Sequence, residues 1–269
     1  MSVEGTTAGR GAAGEQESLA AQRSWWDGEA RDYYTEHGGF LGDADFVWGP
    51  EGWTEAELGL LHLADGQRVL EIGGGAAQCA RWVRRTYAAQ VVSSDLSIGM
   101  LKVGAAIDAS AGSALPLVQC DAGTLPFADA SFDTVFTSYG AIPFVADSAG
   151  LMREAARVLR PGGRFVFAST HPVRWALPDV PGPEGLVVTH SYFDRQPYVE
   201  RDAEGHLTYV EHHRTMGDRI RELVAAGLVI EDLIEPEWPL RNEATWGGWS
   251  PQRGRLIPGT LIVVATRST

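Results

Sequence analysis

The chain has 269 residues, enough to bury one large α/β core without calling for a second. Its 22 Lys and Arg against 35 Asp and Glu give a formal charge of −13, which argues against a sequence-independent grip on nucleic-acid backbones or anionic lipid. Cys79 and Cys120 are the only cysteines, there is no charged-then-apolar leader, and no apolar run nears the ~18 residues of a membrane helix, so a cytoplasmic protein with inert, reduced thiols is expected.

Residues 1 to about 17 are Gly, Ala, Thr and Glu with almost no large apolar side chains, and read as a loose tail. From Ser18 the character changes. Leu19, Trp25, Trp26, Tyr33 and Tyr34 recur at helical spacings among acids, as in an aromatic helical lid over residues 18–65. Phe46-Val47-Trp48-Gly49-Pro50 then precedes a second helical pattern with Leu58, Leu60, Leu61 and Leu63, stopped at Asp65-Gly66. Large rigid rings either pack such a lid on the core or wall a ligand pocket; Trp26, Tyr34 and Trp48 are candidates for the second role.

Val69-Leu70-Glu71-Ile72-Gly73-Gly74-Gly75 reads as a buried strand and a turn where the backbone passes close to another group, since glycine has no Cβ to block the approach. A helix follows through Cys79 to Tyr87, with Arg81, Arg84 and Arg85 read as its solvated face. Apolar runs at 91–94, 117–120, 132–137 and 164–168 alternate with helical or breaker segments, the pattern of a parallel sheet covered on both faces.

The interval 171–214 breaks that rhythm with five prolines. It reads as a loop and hairpin laid over the ligand edge, its β-like runs at 191–198 and 207–212 joined by Asp202-Ala203-Glu204-Gly205. Thr215 caps a helix, with Asp218 in capping-box position and a stop at Gly227. Runs at 228–233 and 260–266 complete seven strands, in a single domain whose C-terminal part is 215–269. The paired tryptophans of Glu237-Trp238-Pro239 and Trp246-Gly247-Gly248-Trp249 predict a long, ordered loop between them.

In an open parallel sheet ligands bind beyond the carboxyl ends of the strands, where strand order reverses. Glu71, Asp95 and Asp121 stand at three consecutive strand ends and converge there. A dinucleotide fingerprint needs a third glycine where this chain has Gln78, and a pyrophosphate is poorly served by Glu71; both facts favour a cationic nucleoside.

Glu71-x-Gly73-x-Gly75, Asp95-Leu96-Ser97-x-x-Met100-Leu101, Asp121-Ala122 with Leu125-Pro126-Phe127, Ser131-Phe132-Asp133 and Val158-Leu159-Arg160-Pro161-Gly162-Gly163 together resemble the class I S-adenosylmethionine-dependent methyltransferases, in their small-molecule and quinone-methylating branch. The resemblance spans about residues 66 to 170. Glutamate stands where the first motif usually has aspartate, and Ala76-Ala77 where a small polar residue and a glycine are common. Ser138-Tyr139-Gly140-Ala141 lacks the signature of the amino-methylating nucleic-acid enzymes.

The resemblance implies a Rossmann-like α/β fold and S-adenosyl-L-methionine as cofactor, with no metal. Gly73, Gly74 and Gly75 would meet its methionine end, Glu71 would orient the loop and the amino group, and Asp95 would accept both ribose hydroxyls. Leu96 and Met100 would pack near the adenine, Asp121 and Ala122 would read its edge, and Ser138 is a further cofactor-binding candidate. The acceptor would be a small molecule, neither nucleic acid nor membrane. Tyr139, Tyr192 and Trp246 join the aromatic candidates for holding it.

Since the sulfonium already activates the methyl group, positioning can supply most of the catalysis. If a base is needed, His171 follows the fifth strand at the ligand edge, and His212 or His213 could present one ring from the hairpin, their alternation sending the other away. Three rival readings stand beside this one: a cofactor- or partner-binding module without transfer, an NAD-dependent oxidoreductase, and a nucleic-acid methyltransferase.

Overall fold

The computed structural model describes residues 6–269. Seven strands form one sheet in the order β4-β3-β2-β5-β6-β10-β9, with β2 (Arg68–Ile72), β3 (Gln90–Asp95), β4 (Leu117–Gln119), β5 (Phe132–Ser138), β6 (Leu159–Thr170), β9 (Leu228–Ile234) and β10 (Thr260–Arg267). The five strands β4, β3, β2, β5 and β6 pair in parallel, and β10 is wedged antiparallel between β6 and β9. Going from β2, the chain builds outward through α3 (Gln78–Thr86), β3 and α4 (Ile98–Ala111) to β4, then crosses back to lay β5 on the other side of β2. The order therefore reverses between β2 and β5, which opens a crevice at their carboxyl ends.

Each face of the sheet owns one core. Leu70, Ile72, Val135, Phe165, Phe167, Leu261 and Val263 face α5 (Ser148–Val158) and α6 (Met216–Ala225). Their strand neighbours Val69, Phe136, Val166, Ala168, Ile262 and Val264 face α3 and the aromatic pair Phe46 and Trp48. This is the period of two expected of strands buried on both sides, where successive side chains point to opposite faces. The seven expected strands are all present, within a few residues of their predicted limits. The α6 cap is also as expected: Thr215 Oγ1 accepts the Asp218 N–H at 3.1 Å while the Asp218 carboxylate accepts the Thr215 N–H.

Four local expectations need correction. Residues 1–5 of the expected tail lie outside the described residues, but 6–17 are not loose. Thr7–Arg10 forms β1, paired antiparallel with β7 (Tyr198–Arg201), which pairs in turn with β8 (Leu207–Glu211), and Glu15 already starts α1 (Glu15–Leu41). Backbone pairing to a strand far along the chain supplies what the side chains of this segment lack.

The leucine-rich pattern after Trp53 yields only α2 (Glu55–Leu58). Gly59 turns left-handed (φ +61°), and the buried Glu55 carboxylate accepts the N–H groups of Leu60 and Leu61, which a continuing helix would have directed at its own carbonyls. The first hairpin strand begins at Tyr198 rather than 191, because residues 191–197 are tied into turns by the Ser191 and Asp194 side chains.

Arg81 is not solvated. It is 6% exposed and donates to Asp108 Oδ1 at 2.7 Å, to Gly104 O at 3.1 Å, to Asp43 O and to Ala76 O. One guanidinium thus joins the exit of the glycine turn, α4 and the end of the N-terminal segment.

Candidate active site

The glycine turn is shaped by how closely three backbones must pass. Gly73 has φ +65°, and a Cβ on Gly140 would lie 1.8 Å from the Gly73 carbonyl oxygen, so the segments leaving β2 and β5 can pass this closely only with glycine at both positions. A Cβ on Gly74 would strike Ser93 Oγ and the Glu71 carboxylate. Ala77 takes the left-handed conformation (φ +62°) and so continues the turn that a glycine more often makes. Tyr139 is also left-handed (φ +61°), immediately before Gly140. Such strain in a bulky residue clusters at functional sites.

Glu71 is 2% exposed. Its carboxylate accepts from Ser93 Oγ at 2.7 Å, and its backbone carbonyl accepts from Ser94 Oγ. Burial pushes the Glu71 pKa up to about 7, against the pull of the Ser93 hydrogen bond and the Arg81 charge. At the end of β3, Asp95 accepts the N–H of Gly75 at 2.8 Å on one oxygen and the N–H of Ser97 at 2.8 Å on the other. Burial raises its pKa while those bonds favour the charge. Asp121 Oδ1 accepts the Gly123 N–H at 2.9 Å.

A cavity of about 630 Å³ begins here and runs beneath the N-terminal helix. Glu71, Gly73, Gly74, Gly75, Asp95, Leu96, Met100, Asp121, Ala122 and Ser138 all line it. The far wall comes from α1. Trp26 meets Tyr33 edge-on at 5.2 Å, and His37 stacks on Trp246 with ring centroids 4.3 Å apart and 17° between planes. α1 is docked by Asp27, which accepts from Ser97 Oγ at 2.7 Å and from the Gly99 N–H at 2.9 Å at the start of α4. Gly99 allows that approach, since a Cβ there would lie 2.8 Å from the Asp27 carbonyl.

Of the acceptor candidates, Trp26, Tyr139 and Trp246 line the cavity; Trp48, Tyr34 and Tyr192 do not. Trp48 is fully buried against Phe46 and Phe136, donating to Glu55 at 2.9 Å. Tyr34 turns its hydroxyl to Asp43. The Tyr192 hydroxyl accepts the Met216 N–H at 2.7 Å. The Tyr139 hydroxyl meets Thr260 Oγ1 at 2.8 Å, and Thr260 donates to the buried Glu51.

None of the three expected bases lies on the cavity wall. His171 Nδ1 accepts the Val173 N–H and so sets the turn after β6. Its Nε2 is 2.8 Å from Glu235 Oε1, out of hydrogen-bonding alignment. His212 is fixed by its N–H to Pro143 O at 2.7 Å, and His213 is wedged between Trp175 and Tyr192. Burial lowers the pKa of His212 and His213 to about 4, so both are neutral packing groups at physiological pH. Cys79 is buried too, and burial raises its thiol pKa, as expected of an inert group.

His37 is the imidazole the sequence reading missed, and among the described residues it is the only one lining the cavity. The signal existed: Trp26, Tyr33 and His37 stand at i, i+7 and i+11, one face of a helix. Tyr209 and Glu211 from β8, with Arg174 after β6, close the end of the cavity away from the glycine turn. Nothing in their spacing marked them.

Residues 70–167 match the family described as "Methyltransferase domain". A demethylmenaquinone methyltransferase of Mycobacterium tuberculosis is 37% identical over 216 residues, 79% of each chain. One of Mycolicibacterium paratuberculosis is 40% identical over 114 residues, 42% of this chain and 46% of the relative; the chain spans about half the length of such relatives. An S-adenosylmethionine-dependent methyltransferase from Mesorhizobium loti superposes with a TM-score of 0.64 at 28% identity, over 81% of this chain and 99% of its own. A 1,6-didemethyltoxoflavin-N1-methyltransferase from Burkholderia thailandensis shares the fold, with a TM-score of 0.59 at 17% identity over 99% and 97% of the two chains. With five parallel strands reversing at a glycine turn, three acids at consecutive strand ends and these relatives, the chain belongs to the class I S-adenosylmethionine-dependent methyltransferases.

Proposed function

We propose that the protein transfers a methyl group from S-adenosylmethionine to a nucleophilic atom of a small ring-bearing molecule. The observation that carries this reading is the continuity of one cavity from Glu71, Asp95 and Asp121 to an aromatic wall containing an imidazole. The donor set suits the cofactor. Each Asp95 oxygen holds one backbone N–H, and a carboxylate oxygen has a second lone pair, so a pair of vicinal hydroxyls can still be accepted. Asp121 retains Oδ2 for an exocyclic amine, and Glu71 offers a carboxylate to a cationic amino group.

When bound, S-adenosylmethionine supplies a methyl group already made electrophilic by a sulfonium. The chain's own task is to hold the acceptor in line, exclude water and take up a proton. Trp26, Tyr33 and Trp246 offer faces and edges that confine a planar ring. His37, braced by Trp246, takes the proton from an O–H or N–H acceptor at its free imidazole nitrogen. The names of the mycobacterial relatives support a quinone-like ring among the acceptors to be tried.

The test is incubation with methyl-labelled S-adenosylmethionine and a panel of hydroxylated and N-heteroaromatic rings. Labelled product and S-adenosylhomocysteine in equal amounts are expected. Saturable cofactor binding with no transfer to any ring would overturn the reading in favour of a binding module, and tight NAD binding with none of S-adenosylmethionine would refute both.

A further inference from the structure

Glu51 is a buried acid to which the chemistry above gives no part. It is 1% exposed and stands in a turn closed by the Gly52 N–H on Gly49 O at 2.9 Å. Asn242 pins that turn, its Nδ2 donating to Pro50 O at 3.0 Å and to Glu51 O at 2.9 Å. Two glycines keep space for the carboxylate: a Cβ on Gly49 would lie 2.8 Å from Oε2, and one on Gly259 would lie 2.7 Å from Oε1. Burying a carboxylate forfeits its hydration, which hydrogen bonds must replace. Here Thr260 Oγ1 donates to Oε2 at 2.6 Å, while Oε1 has no hydrogen-bond partner among the described residues.

That bond sets the direction of the next one. Thr260 has a single hydroxyl proton, and once it points at Glu51 the Thr260 oxygen can only accept. The Tyr139 hydroxyl, 2.8 Å away, is then the donor, with the Gly259 carbonyl at 3.4 Å as its other target. Both choices aim the phenol proton at the start of β10 and leave the phenol oxygen an acceptor. Burial raises the Glu51 pKa against the pull of the Thr260 bond, but a proton on the unpartnered Oε1 leaves Oε2 accepting, so the direction of the chain stands. The cavity reaches the end of the phenol as well as its ring. Gly49, where a Cβ would lie 2.5 Å from Thr260 Oγ1, lines it, as do Thr170, the partner of Thr260 across β6 and β10, and Trp249, set against Gly259.

We infer that Glu51 is a positioning residue: acting through Thr260, it holds the Tyr139 phenol as a hydrogen-bond acceptor for the molecule being methylated, which is therefore a ring bearing a second O–H or N–H donor besides the reacting atom. This rests on the methyl-transfer reading above and names the substrate class for it. His37 takes the proton of the reacting atom, and Tyr139 holds the other donor, so the pair fixes which ring position meets the methyl group. A carbonyl or ether at the second position would set lone pair against lone pair and leave the phenol oxygen unpartnered.

The test incubates the full chain with methyl-labelled S-adenosylmethionine and a total cell extract, isolates the labelled product and counts its exchangeable hydrogens by mass in heavy water. At least one is expected beyond any left on the methylated atom. A labelled product with none would overturn the inference while leaving methyl transfer standing; no labelled product would overturn methyl transfer itself. Variants are then assayed on the same acceptor. Tyr139→Phe removes the phenol oxygen and should raise KM about tenfold, with the affinity for S-adenosylhomocysteine within about twofold of the parent. Glu51→Gln removes nothing from the cavity wall, yet its amide can donate to Thr260 and turn the chain around, so KM should rise about as much. Thr260→Val breaks the chain and should do the same, whereas Thr260→Ser keeps the hydroxyl and should keep the parental KM. That Thr260 pair decides the case if Glu51→Gln does not fold. A parental KM in Tyr139→Phe would show that the phenol oxygen does not meet the acceptor, and a parental KM in Glu51→Gln or Thr260→Val would remove the chain behind it.

Discussion

Glu71 carries its proton further up the pH scale than a free carboxyl because it is buried beneath the glycine turn. Its pKa in the folded chain is about 7 against an ordinary 4.5, so between those values the folded state binds a proton that the unfolded chain has released. Stability from this group is therefore fully present below about 4.5 and is lost as pH rises through about 7. In the absence of cofactor we expect a fall of up to about 3 kcal/mol across that window, and a flatter profile in Glu71→Gln. Urea denaturation at several pH values measures both; parallel profiles would remove Glu71 from the account. His37 makes a separate prediction. His37→Gln should lower kcat by a factor of about 10² or more for an O–H or N–H acceptor while S-adenosylhomocysteine binds as before. If turnover is unchanged, His37 is only a stacking partner of Trp246.

Among the elements, α3 and α4 are held to the glycine turn by Arg81, and a buried ion pair is dangerous to halve. Arg81→Ala leaves Asp108 buried at 5% exposure, keeping only the Leu115 N–H, and should cost about 3–5 kcal/mol in chemical denaturation. A loss below about 1 kcal/mol would mean that water replaces the guanidinium. This residue also shows where reading the chain fails. Three arginines on one helix are usually solvated, and only the tertiary fold brings Asp108, 27 residues on, beneath one of them. The strands and the acids at their ends were legible because each depends on local sequence: apolar runs, then an acid or glycine at the end. The three histidines looked equally local, yet whether a side chain faces a cavity or a neighbouring turn is fixed by which backbone lies against it. For His212 that is the Pro143 carbonyl, 69 residues earlier.

For the molecule as a whole, cofactor binding and folding share a free energy. A ligand that binds only the folded state adds about 2.7 kcal/mol at a hundredfold excess over its Kd. S-adenosylhomocysteine should accordingly raise the melting temperature, and Asp95→Ala should abolish most of that rise while the unliganded protein still melts cooperatively. An equal rise in the variant would separate Asp95 from the ribose. The N-terminal strand was illegible for a related reason: Thr7–Arg10 has no apolar pattern of its own and is ordered by β7, some 190 residues away, which composition cannot anticipate.

The grip of Asp27 on Ser97 and Gly99 has a kinetic side. These two partners lie two and four residues after Asp95, while Trp26, one residue before Asp27, lines the same cavity from α1. Swinging α1 outward would therefore break the Asp27 bonds to Ser97 and Gly99 and uncover the Asp95 end of the cavity in the same movement, at a cost of about 1 kcal/mol for each lost hydrogen bond, while Ser97 goes on capping α4 through the Met100 N–H. An acceptor wedged against Trp26 and Tyr33 would then act as a bolt on the spent nucleoside. Release becomes ordered, with the methylated molecule leaving first, and pre-steady-state mixing should show one rapid equivalent of product followed by a slower steady rate.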